Sequence, residues 1–247
     1  MIKLIVTDFD GTLMPYGEER VSEKVKEYIR TALDKGLLIA VSSGRTYGEL
    51  IGFLPEFKDE LYFICSDGAY CVKGEKTPYF RALERAELAL FANAYNTQSA
   101  TAPSFIFHGA FKNYSLGKVP SEADRFNAQS IDRIDEIKEK IFKVTSYGAS
   151  IRLPAYCALR MHWDGGENAS AQYVNRFCDK GAALSDLQMR LMLTKFDTAC
   201  IGDSGNDIAM MHNAKRSFCI GSRSAELASV CTDKVNSVEE AFAVILN

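Results

Sequence analysis

The sequence predicts an α/β protein in which the first and last thirds build one doubly wound parallel sheet around an inserted α+β domain. Three observations carry this expectation. Apolar runs of strand length, at 4–7 and 37–41 for example, alternate with stretches of helical period. The alternation is lost between about residues 76 and 174 and then returns. The runs end in Asp, Ser, Gly and Lys, residue types suited to the ligand sites that form beyond the carboxyl ends of parallel strands.

The opening run, 4–7, is apolar or β-branched and is bounded by an Asp-Gly turn at Asp10-Gly11, which marks a buried strand ending in a turn. Val21, Val25, Tyr28, Ile29, Ala32 and Leu33 fall at helical spacing, with Ser22 placed to cap and Gly36 to stop the helix. Residues 37–42 form the next strand, so strand, helix and strand make a βαβ unit with a right-handed crossover. A short helix at 47–54 stops before Pro55, and a strand at 61–65 turns through Ser66-Asp67-Gly68 into a hairpin partner at 69–72, closed by Lys73-Gly74.

In the insertion, 81–96 is an alanine- and leucine-rich helix, 105–108 a short strand, and 112–130 polar with weak periodicity. Ile131, Ile134, Ile137 and Ile141 are spaced as an amphipathic helix leading into a strand at 141–145. Two antiparallel strands, 158–163 and 171–174, flank Asp164-Gly165-Gly166, which reads as a hairpin turn beside the packed Trp163. Alternation resumes with helices at 180–193, 207–213, 224–230 and 238–246 and strands at 196–201, 217–220 and 234–235. The expected division is therefore a core of 1–75 and 175–247 and an insertion of 76–174, placed over the carboxyl edge of the sheet with hinges near Gly74 and 175–179.

Composition narrows the function. A net charge of -3 with no basic stripe argues against nucleic acid as a partner. No apolar run approaches the ~20 residues of a spanning helix, which argues against a membrane partner. Seven cysteines, odd in number and without a Cys-x-x-Cys pair, favour reduced thiols, and a cytoplasmic location is expected. Cys65, Cys178, Cys200 and Cys219 read as core filler. His108, His162 and His212 are far apart in sequence and read as surface or satisfied polar residues rather than metal ligands. Oligomeric state has no signature in the sequence.

Four groups stand at strand ends: Asp8 with Asp10, Ser43, Lys180, and the run from Gly202 to Asp207. Side chains at i and i+2 of a strand point the same way, so Asp8 and Asp10 converge if the strand continues to its tip. Paired carboxylates raise each other's proton affinity unless a cation lies between them or one stays protonated. A hard cation such as Mg²⁺ takes oxygens in octahedral array, which Asp8, Asp203 and a carbonyl of the first loop can offer. The Ser43 hydroxyl and Lys180 ammonium suit the remaining oxygens of a phosphoryl group.

These residues resemble the haloacid dehalogenase superfamily of phosphohydrolases. Four motifs occur in that family's order: Asp8-Phe9-Asp10-Gly11-Thr12, Ser43-Gly44-Arg45, Asp179-Lys180-Gly181, and Gly202-Asp203-Ser204-Gly205-Asn206-Asp207. The insertion between the second and third is similar to the type IIB cap of the Cof-like sugar phosphatases. Two stretches depart from that branch: Asp67-Gly68 stands where many members have Asn-Gly, and Gly221-Ser222-Arg223 replaces a Gly-Asn-Ala run. The resemblance implies a Rossmann-like core and Mg²⁺-dependent hydrolysis of a small phosphorylated metabolite, a sugar phosphate first, through an aspartyl-phosphate.

It further implies Asp8 as nucleophile, Asp10 as acid and base, and Ser43 and Lys180 as phosphoryl clamp. Metal ligands are drawn from Asp8, Asp10, Asp203 and Asp207, the last acting through water or by orienting Lys180. Phosphate or substrate contacts come from Gly11, Thr12, Ser43, Gly44, Arg45, Lys180 and Asn206, with Gly11 and Thr12 also shaping the turn. Arg45 has two available roles, phosphate contact or carboxylate pairing. The alternatives are a phosphomutase or phosphotransferase of the same fold and a non-catalytic sugar-phosphate-binding module.

Overall fold

A computed structural model describes residues 1–97, 103–155, 157, 159–164, 170–221 and 224–247. The opening run is strand β1 (Leu4–Asp8), buried at every position because its neighbours cover both faces. Helix α1 (Glu23–Asp34) starts where the Ser22 hydroxyl accepts from Val25 N, and it buries Val25, Ile29 and Ala32. It delivers the chain to β2 (Leu38–Ser42), parallel to β1 in a register that sets Ser42 beside Asp8. Helix α2 (Tyr47–Phe53) is held by a capping box between Thr46 and Glu49, and β3 (Tyr62–Cys65) follows parallel to β2.

β4 (Tyr70–Lys73) and β5 (Lys76–Phe80) turn back antiparallel and finish one side of the sheet. β5, which carries Pro78, is absent from the sequence expectation. At a sheet edge proline is tolerated, since no ladder bond is required of its nitrogen. The chain divides into two compact units, Met1–Phe80 with Asp179–Asn247 and Arg81–Cys178. The first thus includes the β5 residues that the sequence expectation gave to the insertion.

In the second unit α3 (Arg85–Thr97) packs on a sheet of β6 (Ser104–His108), β7 (Asn113–Leu116), β8 (Gln129–Ile131), β9 (Lys143–Tyr147), β10 (Leu159–Asp164) and β11 (Ser170–Asn175). Their order is β10-β11-β9-β6-β7-β8, antiparallel except for β7 with β8. Phe91 meets Phe105, Phe107 and Tyr173 edge-on, with centroids 5.0 to 6.1 Å apart.

The helix expected across Ile131 to Ile141 does not form. Ile131 ends β8, and Ile134–Glu136 is a single 3-10 turn in which Glu136 Oε1 accepts from Asp132 N and Arg133 N. Ile131, Ile137 and Ile141 still reach the aromatic cluster, with Ile134 packed against it. Spacing of three and four therefore records burial against α3 and not helical backbone. Gly165 and Gly166 of the expected hairpin turn lie outside the described residues, as do Ser222 and Arg223.

The first unit resumes with α4 (Lys180–Arg190), β12 (Thr198–Gly202), α5 (Ile208–Met211), β13 (Arg216–Ile220), α6 (Ala225–Val230), β14 (Asp233–Val235) and α7 (Val238–Leu246). β12 pairs parallel to β1, giving the order β14-β13-β12-β1-β2-β3-β4-β5. Leu4, Val6, Ala40 and Cys200 pack with Ala183, Leu184, Leu187 and Met210 of α4 and α5. Cys65, Cys178, Cys200 and Cys219 are buried reduced thiols. No helix among the described residues is long and apolar enough to cross a membrane.

Candidate active site

β1 and β12 are neighbours and end at the same edge of the sheet, which brings Asp8 and the Gly202–Asp207 run together. Lys180, the first residue of α4, donates to Asp8 Oδ1 at 2.6 Å and to Asp207 Oδ1 at 2.7 Å. The side chains of Lys180, Asp8 and Asp207 are only 2%, 6% and 0% exposed. A lysine in the first turn of a helix opposes the helix dipole, and burial disfavours its charge. The two carboxylates outweigh burial, so the Lys180 pKa is raised and the ammonium is retained. Burial acts in the other direction on Asp8: it pushes the carboxyl up to about 7, against the pull of Lys180 and with the help of Asp207.

Asp207 has a second task. Its Oδ2 accepts from Asp203 N and Ser204 N, both at 3.1 Å, which folds the loop after β12 back on itself. The same loop buries Asp203. Asp8, Asp203 and Asp207 each offer an oxygen, and these oxygens lie within 4.8 Å of one another. Three buried carboxylates against one ammonium leave negative charge in a medium where uncompensated charge costs several kcal/mol. A divalent cation that prefers oxygen ligands fits this donor set. Both Asp207 oxygens already serve protein donors, so Asp8 and Asp203 are the residues placed to hold such a cation directly.

The Asp10 carboxylate belongs to a different group from the Asp8, Asp203 and Asp207 oxygens. Arg45 Nε donates to Asp10 Oδ1 and Oδ2 at 3.1 and 2.9 Å, and its NH2 donates to Oδ1 at 2.6 Å. The guanidinium also lies over the rings of Phe9 and Phe53, 5.4 and 4.9 Å from their centroids. Of the two roles open to Arg45, carboxylate pairing is the one present. The strand ends at Asp8, and Asp10 lies in the turn that follows, paired with Arg45.

Ser43 is buried, and its Oγ accepts from Arg45 N at 3.1 Å. Ser43 O in turn accepts from Asp67 N, and Arg45 O from Ser66 N, tying the loops after β2 and β3 together. Asp67, the residue that departs from Asn, thus lies against this loop: a Cβ on Gly44 would come 3.0 Å from Asp67 Oδ1. Gly11 has φ +86°, and a Cβ there would come 2.5 Å from Asp203 Oδ2, so only glycine fits. Thr12 is buried and its Oγ1 has no hydrogen-bond partner among the described residues. Asn206 is exposed and its Oδ1 accepts from Ser204 Oγ at 2.7 Å. Asp179 caps α4 by accepting from Ala182 N, which fixes where Lys180 begins.

Of the histidines, His108 is a satisfied core residue: Nδ1 lies 3.1 Å from Asn113 Oδ1 and Nε2 lies 2.9 Å from Thr145 Oγ1. His212 is exposed, and the His162 side chain lies outside what is described. Sequence reading passed over Phe53 and Tyr16. The signal available for Tyr16 was an aromatic in a Pro-x-Gly turn directly after the first motif.

A buried carboxylate, a lysine and an acidic loop thus gather at the ends of central parallel strands. The chain belongs to the haloacid dehalogenase-like hydrolase family, whose model matches residues 5–245. It is similar to the 5-amino-6-(5-phospho-D-ribitylamino)uracil phosphatase YbjI of Escherichia coli (strain K12), with 24% identity over 89% of this chain and 85% of that protein. It is also similar to an HMP-PP phosphatase of Yersinia pseudotuberculosis, with 25% identity over 92% of this chain and 86% of the relative. The structure of the HAD subclass IIB sugar phosphatase BT4131 has the same fold, with a TM-score of 0.77 and 19% identity over 98% of each chain.

Proposed function

We propose that the chain is a Mg²⁺-dependent phosphatase that hydrolyses a small phosphorylated metabolite, a sugar phosphate by first choice, through an aspartyl-phosphate intermediate. The observation that carries this reading is the buried chain from Asp8 through Lys180 to Asp207, with the Asp203 carboxylate alongside. The phosphoribitylamino-uracil in one relative's name carries its phosphate on a polyol, which supports small phosphate esters as the substrate class.

In this reading an Asp8 oxygen bonds to phosphorus as the ester P–O bond breaks, and the leaving alcohol takes its proton from Asp10. Water then displaces the Asp8 carboxylate from phosphorus and gives a proton back to Asp10, releasing inorganic phosphate. Both Asp10 oxygens are held by Arg45, so the acid role requires that pair to loosen when substrate enters. Lys180 and Ser43 meet the phosphoryl oxygens, and Asp207 fixes the direction of Lys180. Asp8 and Asp203 would hold Mg²⁺, which would supply positive charge to screen the nucleophile from the anionic ester. Acceleration of monoester hydrolysis can reach ~10²¹, roughly 28 kcal/mol, whereas one oxyanion donor contributes about 3 to 4. Several groups must therefore act together. The unit Arg81–Cys178 is assigned as the type IIB cap.

Phosphate release from a panel of phosphomonoesters tests the proposal, with Mg²⁺ supporting turnover and chelation stopping it. Asp8→Asn is expected to lower kcat by at least about 10⁴-fold with an unchanged far-UV circular dichroism spectrum; substantial residual turnover would sink the nucleophile assignment. Turnover that needs a bisphosphate activator would instead indicate a phosphomutase, and ester binding without hydrolysis a binding module.

A further inference from the structure

Three consecutive residues between β3 and β4 have left-handed backbone: Ser66 at φ +48°, Asp67 at +56° and Gly68 at +91°. A single Asp is tolerated there because its short side chain can bond locally. Two non-glycine residues in succession are costly and persist only where their surroundings over-determine them. Here the surroundings are the two elements that carry Ser43 and Lys180.

On one side the strap Ser66–Gly68 is fixed to the loop after β2. Ser66 N donates to Arg45 O at 2.9 Å and Asp67 N to Ser43 O at 3.0 Å, while Ser43 N donates to Ile64 O at 2.9 Å. On the other side Gly68 packs on the start of α4. A Cβ there would overlap Asp179 O, which accepts the first bond of the helix from Ala183 N, and would meet Ala183 Cβ at 3.0 Å. Three residues thus bridge Ser43 and the residue before Lys180.

The Asp67 carboxylate adds a contact of its own. A Cβ on Gly44 would lie 3.0 and 3.3 Å from Asp67 Oδ1 and Oδ2, so Asp67 fills the space that a side chain at 44 would take. Gly44 joins Ser43 to Arg45, whose N donates to Ser43 Oγ at 3.1 Å. A shift of the backbone at Gly44 therefore turns the Ser43 hydroxyl. The negative charge of Asp67 opposes an incoming phosphoryl dianion, so what this side chain contributes is position and not charge.

We propose that Asp67 is a positioning residue: packed against Gly44, it holds the Ser43 hydroxyl where it meets the phosphoryl oxygens, at a separation from Lys180 set by the strap. The inference rests on the phosphatase reading above, which puts Ser43 and Lys180 on the phosphoryl group.

Asp67→Asn and Asp67→Gly separate position from charge, because both remove the charge. Asparagine keeps the shape and tolerates the left-handed region. Glycine has no steric penalty there and keeps the amide that donates to Ser43 O, so it removes only the packing on Gly44. The measurements, all with Mg²⁺, are kcat/KM for p-nitrophenyl phosphate, calorimetric affinity for inorganic phosphate, and the urea denaturation midpoint. Asp67→Asn is expected to keep kcat/KM within about threefold of the wild type and Asp67→Gly to lose about tenfold or more, because a misplacement on the order of 1 Å can cost about 10²-fold. Phosphate affinity is expected to be weaker in Asp67→Gly than in Asp67→Asn, at a denaturation midpoint no lower. Equal values in the two variants, or a loss in Asp67→Gly that a lower midpoint accounts for, overturn the positioning role. A wild type that hydrolyses no ester but shows the expected order of phosphate affinities overturns the phosphatase reading and supports the placement of Ser43 by Asp67. A wild type that neither hydrolyses an ester nor binds phosphate overturns both.

Discussion

The two units bury polar residues in different ways. In the first, the central strands β1, β2 and β12 are mostly apolar, and Asp8, Ser42, Ser43, Asp203 and Lys180 are buried at or just beyond element ends. In the second, buried polar residues sit within the strands: Ser104 and His108 in β6, Asn113 and Ser115 in β7, Lys143 and Thr145 in β9. A central parallel strand is covered on both faces, so its interior favours apolar side chains and the ionisable groups gather at its tip. An antiparallel strand alternates, and its polar residues line one face beside an apolar one. The first arrangement concentrates reactive groups; the second spreads a hydrogen-bonded surface.

The comparison can be broken by removing the cation at the strand tips. Lys180→Met strands two buried carboxylates, Asp8 and Asp207, and is expected to destabilise the fold by roughly 3 to 5 kcal/mol while abolishing turnover. Chemical denaturation together with phosphate release checks it, and near-wild-type stability would mean that the buried ion pairs do not hold the site. A milder perturbation acts through backbone. Gly11→Ala forces a left-handed residue against Tyr16 and Asp203, with an expected cost of about 1 to 3 kcal/mol and a larger relative loss of kcat than of stability. The smallest effect on activity is expected in the second unit. His108→Leu leaves Asn113 and Thr145 without their shared partner, which should cost about 1 to 3 kcal/mol and leave the strand-tip chemistry of the first unit intact. A kcat reduced as far as in Gly11→Ala would contradict the division drawn here.

The same contrast explains what could be read in advance. Parallel strands leave contiguous apolar runs followed by short polar clusters, so β1, β2, β12 and β13 and the residues at their tips were visible as sequence patterns. The second unit misled where burial was satisfied by irregular backbone, as at Ile131 to Ile141, and where short polar strands such as β7 carried little apolar signal. At the site, spacing alone suggested that Asp8 and Asp10 converge. In the structure Asp10 pairs with Arg45 and Asp8 with Lys180, and the guanidinium lies over Phe9 and Phe53, whose rings meet at 5.3 Å, a grouping with no linear signature.

By itself the sequence determined the alternation of elements, the family to which the chain belongs, and the residue types gathered at strand ends, because hydrophobic period and turn chemistry are local properties. Only the tertiary structure decided the pairing: Lys180 with Asp8 and Asp207, Asp10 with Arg45, and Tyr16 over Gly11. Those partners are distant in sequence or turned by backbone angles that spacing does not encode. Which carboxylate meets which cation follows from strand order and loop conformation.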